Sequence, residues 1–195
     1  MPASGPNSSP AIGFLTVCEH EGQGLFGGYL VLNSAARPLE FYCTAPVRPN
    51  RAQEILYGLT LKPYLYGEQI GRALLQKAKA RPIVVFTDVE HALAVRQFSA
   101  SPIAYVIEQE STNAEPDEAN QHWRLDDAHQ KPRSPVLVGL HCFSLGERRL
   151  AVPEAYENDE REIAAHWQPY ATTFDLSEPF DRIREAIDEA RASAK

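Results

Sequence analysis

The chain has 195 residues, a formal net charge of −7 and a hydrophobic fraction of 44%. This length and composition suit one soluble domain with a core of its own. The acidic balance weighs against broad, non-specific nucleic-acid binding, because that binding draws its affinity from Lys and Arg side chains on phosphates. No apolar run approaches the roughly 18 residues that a membrane-spanning helix needs.

The N-terminus and the cysteines indicate the compartment. Residues 1–10 are polar and rich in Pro and Ser, and they lack the charged start and apolar core of a signal peptide. We expect this segment to be disordered. The three cysteines are odd in number and far apart in the chain, which does not suit a disulfide framework. Both features favour a cytoplasmic, reducing location.

Three strands with short connections open the predicted fold. They cover Ile12–Cys18, Tyr29–Asn33 and Leu39–Cys43. The glycines between Gly22 and Gly28 predict a turn between the first two strands. Short connections of this kind favour an antiparallel meander.

The pattern then changes to helices alternating with buried strands. The predicted elements are, in order, a helix at Ala52–Tyr57 capped by Asn50, a helix at Tyr64–Lys79, a strand at Pro82–Asp88, a helix at Glu90–Phe98 and a strand at Ile103–Ile107. The strand ending at Asp88 is a continuous apolar run, which is typical of a sheet covered on both faces. Strand, helix and strand predict a right-handed parallel crossover.

The last third of the chain begins with a polar segment. We expect residues 108–134 to form a mobile loop, because they are rich in Glu, Asp, Asn, Gln, Ser and Pro. A strand at Val136–Phe143 and helices at Pro153–Trp167 and Pro179–Lys195 follow. The final helix carries an apolar stripe, which predicts packing on the domain, with a partner interface as the alternative. The stripe consists of Phe180, Ile183, Ile187 and Ala190.

The order of these elements, together with three short motifs, resembles the ribonuclease H-like fold. The motifs are Gly27-Gly28-Tyr29 at the second strand, Asn50-Arg51-Ala52-Gln53-Glu54 at the first helix and Phe86-Thr87-Asp88 at the end of the fourth strand. The resemblance covers roughly residues 12–107. It implies an α/β fold of order βββαβαβ followed by C-terminal helices, built on a mixed sheet.

The resemblance also implies a site for divalent metal ions. Family members hold these ions with acidic residues from the first strand, the first helix and the fourth strand. By this resemblance, Glu54 would be the acid of the first helix and Asp88 the acid of the fourth strand. Carboxylate oxygens suit Mg²⁺, and two such ions can activate water for phosphodiester cleavage. The structural alternatives are a helix cap for Asp88 and a first-turn acid that interacts with the helix dipole for Glu54.

The chain departs from the family pattern at the first strand. Cys18 occupies the position that matches the expected aspartate, and a thiol is a poor ligand for Mg²⁺. Glu19, Glu21 or Glu68 would have to supply a displaced acid. Glu19 points to the opposite face from Cys18 if the strand continues that far.

A glycine-rich pattern carries little functional weight. Gly22, Gly24 and Gly27 match the G-x-G-x-x-G spacing, but a strand follows them where a dinucleotide site needs a helix, and the other protein-kinase motifs are absent. A glycine-rich hairpin is the favoured interpretation.

The cysteines and histidines raise the questions of zinc binding and nucleophilic catalysis. The zinc-ligand types near predicted strand ends are Cys18, His20, Cys43, His141 and Cys142, and no Cys-x-x-Cys pair joins them. Cys18 as a nucleophile with His20 or His141 as its base is a second hypothesis, since residues two apart on a strand share a face. The alternative for the cysteines is a role as small apolar residues.

Two functions compete on these observations. The first is a non-catalytic ribonuclease H-like module that binds a protein or a nucleic acid, motivated by the missing first-strand aspartate and the acidic charge. The second is a nuclease dependent on Mg²⁺ or Mn²⁺ that uses Glu54, Asp88 and a displaced acid. A first strand at the edge of the sheet would exclude the ribonuclease H-like arrangement in both cases, leaving another α+β type.

Overall fold

The computed structural model describes residues 10–107, 139–167, 170 and 175–193. Within these residues the chain forms a seven-stranded mixed sheet of spatial order β3-β2-β1-β4-β5-β7-β6. The strands are β1 (Ile12–His20), β2 (Gly24–Leu32), β3 (Pro38–Cys43), β4 (Val84–Thr87), β5 (Ile103–Ile107), β6 (Leu140–Leu145) and β7 (Arg148–Pro153). The segments predicted as a disordered N-terminus, apart from residue 10, and as a mobile loop at 108–134 lie outside the described residues.

The sheet combines an antiparallel and a parallel half. β2 pairs antiparallel with both β1 and β3, which confirms the predicted meander. β4 pairs parallel with both β1 and β5, which confirms the predicted parallel arrangement. β7 pairs antiparallel with β5 and β6. The fold is therefore mixed α/β, and β1 lies inside the sheet between β2 and β4.

The helices differ in type from the prediction at several points. The α-helices are α1 (Arg51–Tyr57), α2 (Leu61–Pro63), α3 (Arg72–Lys77), α4 (Asp159–Trp167) and α5 (Glu178–Ser193). A π-helix at Tyr64–Gly71 and 3₁₀ segments at Gly58–Thr60, Glu90–Phe98 and Glu154–Tyr156 join them. The predicted α-helix at Tyr64–Lys79 is thus a π-helix followed by α3, and the predicted helix at Pro153–Trp167 is divided. The prediction missed β7.

Both faces of the sheet are covered. On one face, Phe14 of β1 packs edge-on against Phe180 of α5, with ring centroids 5.6 Å apart. On the other face, Leu15 belongs to the core cluster that includes Ile70 of the π-helix and Leu74 of α3. Successive β1 residues therefore enter different cores, which explains the unbroken apolar runs in the strands.

Two consecutive glycines bring the covering layers close to β2. A Cβ atom at Gly27 would lie 2.0 Å from Ile70 Cγ2, and one at Gly28 would lie 2.2 Å from Ile183 Cγ2. The pair therefore allows the π-helix and α5 to approach the strand from opposite sides. The predicted turn at Gly22–Gly28 is too long, because the turn occupies residues 21–23 and β2 already begins at Gly24.

Candidate functional site at the carboxyl ends of β1 and β4

Asp88 directly follows β4, and its carboxylate is almost fully buried, with 6% of the side chain exposed. Leu15 of β1 lies opposite Thr87 in parallel register, so continuing the register by one residue places Thr16 beside Asp88. Thr16 is buried, and its Oγ1 has no hydrogen-bond partner within the described residues. Cys18 lies two residues further along β1. Neither β1 residue carries the carboxylate that a metal site at this position would use.

Arg184 of α5 pairs with the Asp88 carboxylate. Its Nη2 donates a hydrogen bond to Asp88 Oδ2, and its Nη1 donates to Asp181 Oδ1 at 2.9 Å. Burial opposes the charge of Arg184, but Asp88, Cys18 and Asp181 together raise its pKa, so the guanidinium stays protonated. The fixed positive charge of Arg184 beside Asp88 repels a divalent cation. Its hydrogen bond also occupies a lone pair of the Asp88 carboxylate that a metal ion would need.

Cys18 is half-buried beside this ion pair. Burial raises the pKa of its thiol, Arg184 opposes that rise, and the charges of Asp88 and Asp188 add to it. The thiol is therefore protonated at neutral pH, whereas nucleophilic attack and metal binding both require the thiolate. This protonation state weighs against the hypothesis of a nucleophilic Cys18.

A second polar network joins the end of β1 to the last turns of α5. His20 Nε2 lies 3.6 Å from Asp188 Oδ1, and Arg191 Nη1 donates to the same oxygen at 2.6 Å. Arg191 Nη2 and Nε both donate to Gln23 Oε1, at 2.9 and 3.0 Å. The Arg191 guanidinium also lies 5.3 Å from the centroid of the Phe26 ring. These contacts hold α5 on the sheet.

The other predicted acids are dispersed. Glu54 is exposed on α1, where its Oε2 accepts a 2.9 Å hydrogen bond from Arg51 Nη1. Glu19 is exposed on β1, Glu21 is exposed in the following turn, and Glu68 is half-buried in the π-helix. No group of three His, Cys, Asp or Glu side chains in the described part of the chain is arranged to hold a metal ion.

The predicted zinc-ligand types occupy separate places. Cys18, Cys43 and Cys142 are free thiols, and the last two are exposed. His141 Nε2 lies 2.5 Å from Glu160 Oε2, so this ring is engaged with a carboxylate of α4. None of them belongs to a group of three such side chains in the described part of the chain that could hold a metal ion.

The polar residues of α5 that complete this site were not predicted from the sequence. Arg184, Asp188 and Arg191 are spaced four and three residues apart, so they form a border along one side of the apolar stripe. That spacing was the available signal. The predicted packing of the stripe on the domain is confirmed for Phe180, Ile183 and Ile187, which are buried, and is wrong for Ala190, which is exposed.

A second candidate surface lies on α1 and the 3₁₀ segment after it. Ile55, Leu56 and Leu59 are 66%, 81% and 100% exposed, and we call these three side chains the apolar ridge. No residue of α1 is buried. The helix begins with a capping box in which Asn50 Oδ1 accepts from the Gln53 amide and Gln53 Oε1 accepts from the Asn50 amide. The predicted cap at Asn50 is confirmed.

Comparison of the chain with protein-family models and with curated proteins returned no match. Among the described residues, no helix has the length and apolar character required to cross a membrane.

Proposed function

We propose that this chain is a cytoplasmic, non-catalytic ribonuclease H-like module that binds a protein partner. The observation that carries the proposal is the ion pair between Asp88 and Arg184. In a metal-dependent nuclease, a carboxylate at this place would face a metal ion and further acids. Here it faces a protonated guanidinium, and the adjacent β1 positions are Thr16 and Cys18.

Strand order supports the ribonuclease H-like part of the proposal. β1, β2 and β3 form an antiparallel meander, and β4 and β5 continue the sheet in parallel on the other side of β1. This agrees with the element order βββαβαβ on which the resemblance was based. β6 and β7 extend the sheet beyond β5, and α5 covers the face on which Arg184 meets Asp88. The three free thiols agree with a reducing, cytoplasmic location.

The apolar ridge and the charge of the chain favour a protein over a nucleic acid as the partner. Three large, exposed apolar side chains on one short segment suit an apolar groove on another protein. The formal net charge of −7 disfavours a phosphate backbone and favours a groove with a basic rim.

Metal-dependent thermal unfolding tests the non-catalytic part. The wild type, Asp88→Asn and Arg184→Gln are melted in EDTA, Mg²⁺ and Mn²⁺. A ligand bound only by the native state raises its stability by about 2.7 kcal/mol at a hundredfold excess over Kd. We expect no rise in the wild type. Stabilisation by Mn²⁺ in Arg184→Gln alone would show that the guanidinium blocks the site.

The opposite outcome would restore the nuclease alternative. A rise of Tm with Mn²⁺ in the wild type that is lost in Asp88→Asn, together with Mn²⁺-dependent cleavage of RNA or DNA, would overturn the non-catalytic proposal. The Glu54→Gln variant is the matched control, since Glu54 is an exposed acid on the other predicted metal position. Its melting curve should follow the wild type in all three buffers.

Substitutions in the apolar ridge test the protein partner. Proteins retained by the immobilised wild type are compared with those retained by Leu56→Asp, with Glu54→Gln as a control on the same helix. We expect one or more proteins to be lost specifically in Leu56→Asp and to bind the purified wild type directly. Retention that is unchanged by Leu56→Asp, or that disappears after nuclease treatment, would contradict a protein partner at the ridge.

A further inference from the structure

A cavity of about 260 Å³ lies at the amino ends of β4 and β5, on the sheet face opposite to the Asp88–Arg184 pair. The volume is close to the lower end of the ~300–1,000 Å³ typical of small-molecule sites. Its lining includes Tyr29 of β2, Leu75 and Gln76 of α3, Arg81, Val85 of β4 and Phe98. The lining is therefore mixed, with polar and apolar surface in comparable amounts.

Tyr29 forms the buried part of this lining, with only 1% of the residue exposed. Its hydroxyl lies 2.6 Å from the point where a Cβ atom at Gly13 would stand, so the ring leans across β1 at a position that has no side chain. Gly13 is paired with Val85 of β4, which lines the same cavity. The glycine therefore allows the phenol to reach from β2 to the cavity.

The phenol of Tyr29 is a hydrogen-bond donor at this place. Burial, and then the charge of Glu40, raises its pKa well above the ordinary range, so it stays protonated. Glu40 itself accepts hydrogen bonds from the Lys79 and Ala80 amides at 2.9 and 3.0 Å. The two amides engage both carboxylate oxygens of Glu40, and no side-chain hydrogen bond among the described residues comes from the Tyr29 hydroxyl. A tyrosine hydroxyl that lines a cavity can donate a hydrogen bond to a ligand there.

The surroundings limit the chemistry of a ligand. The negative charge of Glu40 disfavours an anion next to Tyr29 and favours a neutral acceptor there. Phe98 offers an aromatic wall whose ring is fixed by the Arg72 guanidinium, 4.6 Å from the ring centroid. Ser99 and Ser101 are engaged with each other and with Pro82 O, which leaves Tyr29 as the buried donor.

We propose that this cavity is a binding site for a small planar molecule that presents a neutral carbonyl or ring nitrogen to the Tyr29 hydroxyl. The planar body packs between Leu75, Val85 and Phe98. This site is independent of the proposed protein-binding function, because it shares no residue with the apolar ridge or with the Asp88–Arg184 pair.

Benzamide and benzoate are suitable probes, because they have the same shape but carry a neutral acceptor and an anion. The experiment is an amide NMR titration of the wild type, Tyr29→Phe and Tyr42→Phe. Tyr42 lies opposite Tyr29 on β3 and is the matched control outside the cavity lining. A further variant, Ala100→Trp, fills the cavity from an exposed lining position.

We expect benzamide to cause saturable shifts of amides around residues 76–82 and 98–101, and to bind more tightly than benzoate. One neutral hydrogen bond corresponds to a loss of about three- to tenfold in affinity for Tyr29→Phe. Tyr42→Phe should bind as the wild type does, and Ala100→Trp should not bind. Absence of saturable benzamide binding to the wild type, or equal affinity in folded Tyr29→Phe, would overturn the proposal. If Tyr29→Phe does not fold, two other results would overturn the proposal. One is benzamide binding that survives in Ala100→Trp, and the other is benzoate binding to the wild type as tightly as benzamide.

Discussion

Helices α5 and α1 both carry large apolar side chains, but they use them in opposite ways. In α5, Ile183 and Ile187 are buried against β2, and the polar residues beside them are tied to β1 and β4. In α1 no residue is buried, and Ile55 and Leu56 face the solvent. Similar apolar residues are therefore buried in the core in one helix and exposed on the surface in the other.

Truncation of a buried α5 residue should produce the largest difference between the helices. Ile183→Ala is expected to lower the free energy of unfolding by about 2–5 kcal/mol, because it leaves a cavity under a fully buried side chain. Denaturation by urea measures this loss. A loss of free energy of unfolding below about 2 kcal/mol for Ile183→Ala would show that α5 does not form part of the cooperative core.

A side chain at Gly28 should separate α5 from the sheet. Gly28→Ala is expected to cost about 1–3 kcal/mol of stability, because its Cβ would meet Ile183 Cγ2 at 2.2 Å. The double variant Gly28→Ala with Ile183→Ala removes the clashing atom and should lose less than the sum of the two single variants. Additive losses would contradict a direct contact between the two positions.

The pH dependence of stability should show that the Cys18 thiol is buried beside α5. Its pKa is raised above the ordinary value of 9.0 in the folded chain. The unfolded state therefore loses the thiol proton first, so the stability contribution is present below pH 9.0 and falls as the pH rises above it. Cys18→Ala should show a shallower loss of Tm between pH 8.5 and 10.5 than the wild type. Cys43→Ala, at an exposed cysteine, should follow the wild type.

Truncation in the apolar ridge should have the smallest effect on stability. Leu56→Ala is expected to change the free energy of unfolding by no more than about 0.5 kcal/mol, since 81% of this residue is already exposed. The same urea titration applies. A loss above about 1 kcal/mol would mean that the ridge is part of the core, and it would remove the contrast between α1 and α5.

Local sequence patterns predicted most strands of the sheet, but not the beginning of β2 or the type of one helix. The strand at Ile103–Ile107 was placed correctly because an apolar run between turn signals is a local feature. The beginning of β2 was missed because Gly27 and Gly28 suggest a turn, while the reason for them is the approach of Ile70 and Ile183 from distant parts of the chain. The hydrophobic periodicity also did not predict that the helix at Glu90–Phe98 is a 3₁₀ helix and not an α-helix.

The candidate site shows the same limit. The position of Asp88 at the end of a buried strand follows from the sequence, whereas its partner Arg184 lies 96 residues further along the chain. Charge spacing along α5 indicates which side of the helix is polar, but pairing with a particular acid is set only when the helix docks. Whether the β4 aspartate faces a metal ion or a guanidinium is therefore a tertiary property.

For the protein partner proposed above, the capping box of α1 bears on the rate of recognition. Reciprocal hydrogen bonds between Asn50 and Gln53 fix the first turn of a helix that receives little support from the core. The ridge is thus presented in an ordered conformation before any encounter, and the entropy loss of ordering a segment during docking is reduced. Association through this helix then resembles the meeting of two preformed surfaces, with little refolding after contact.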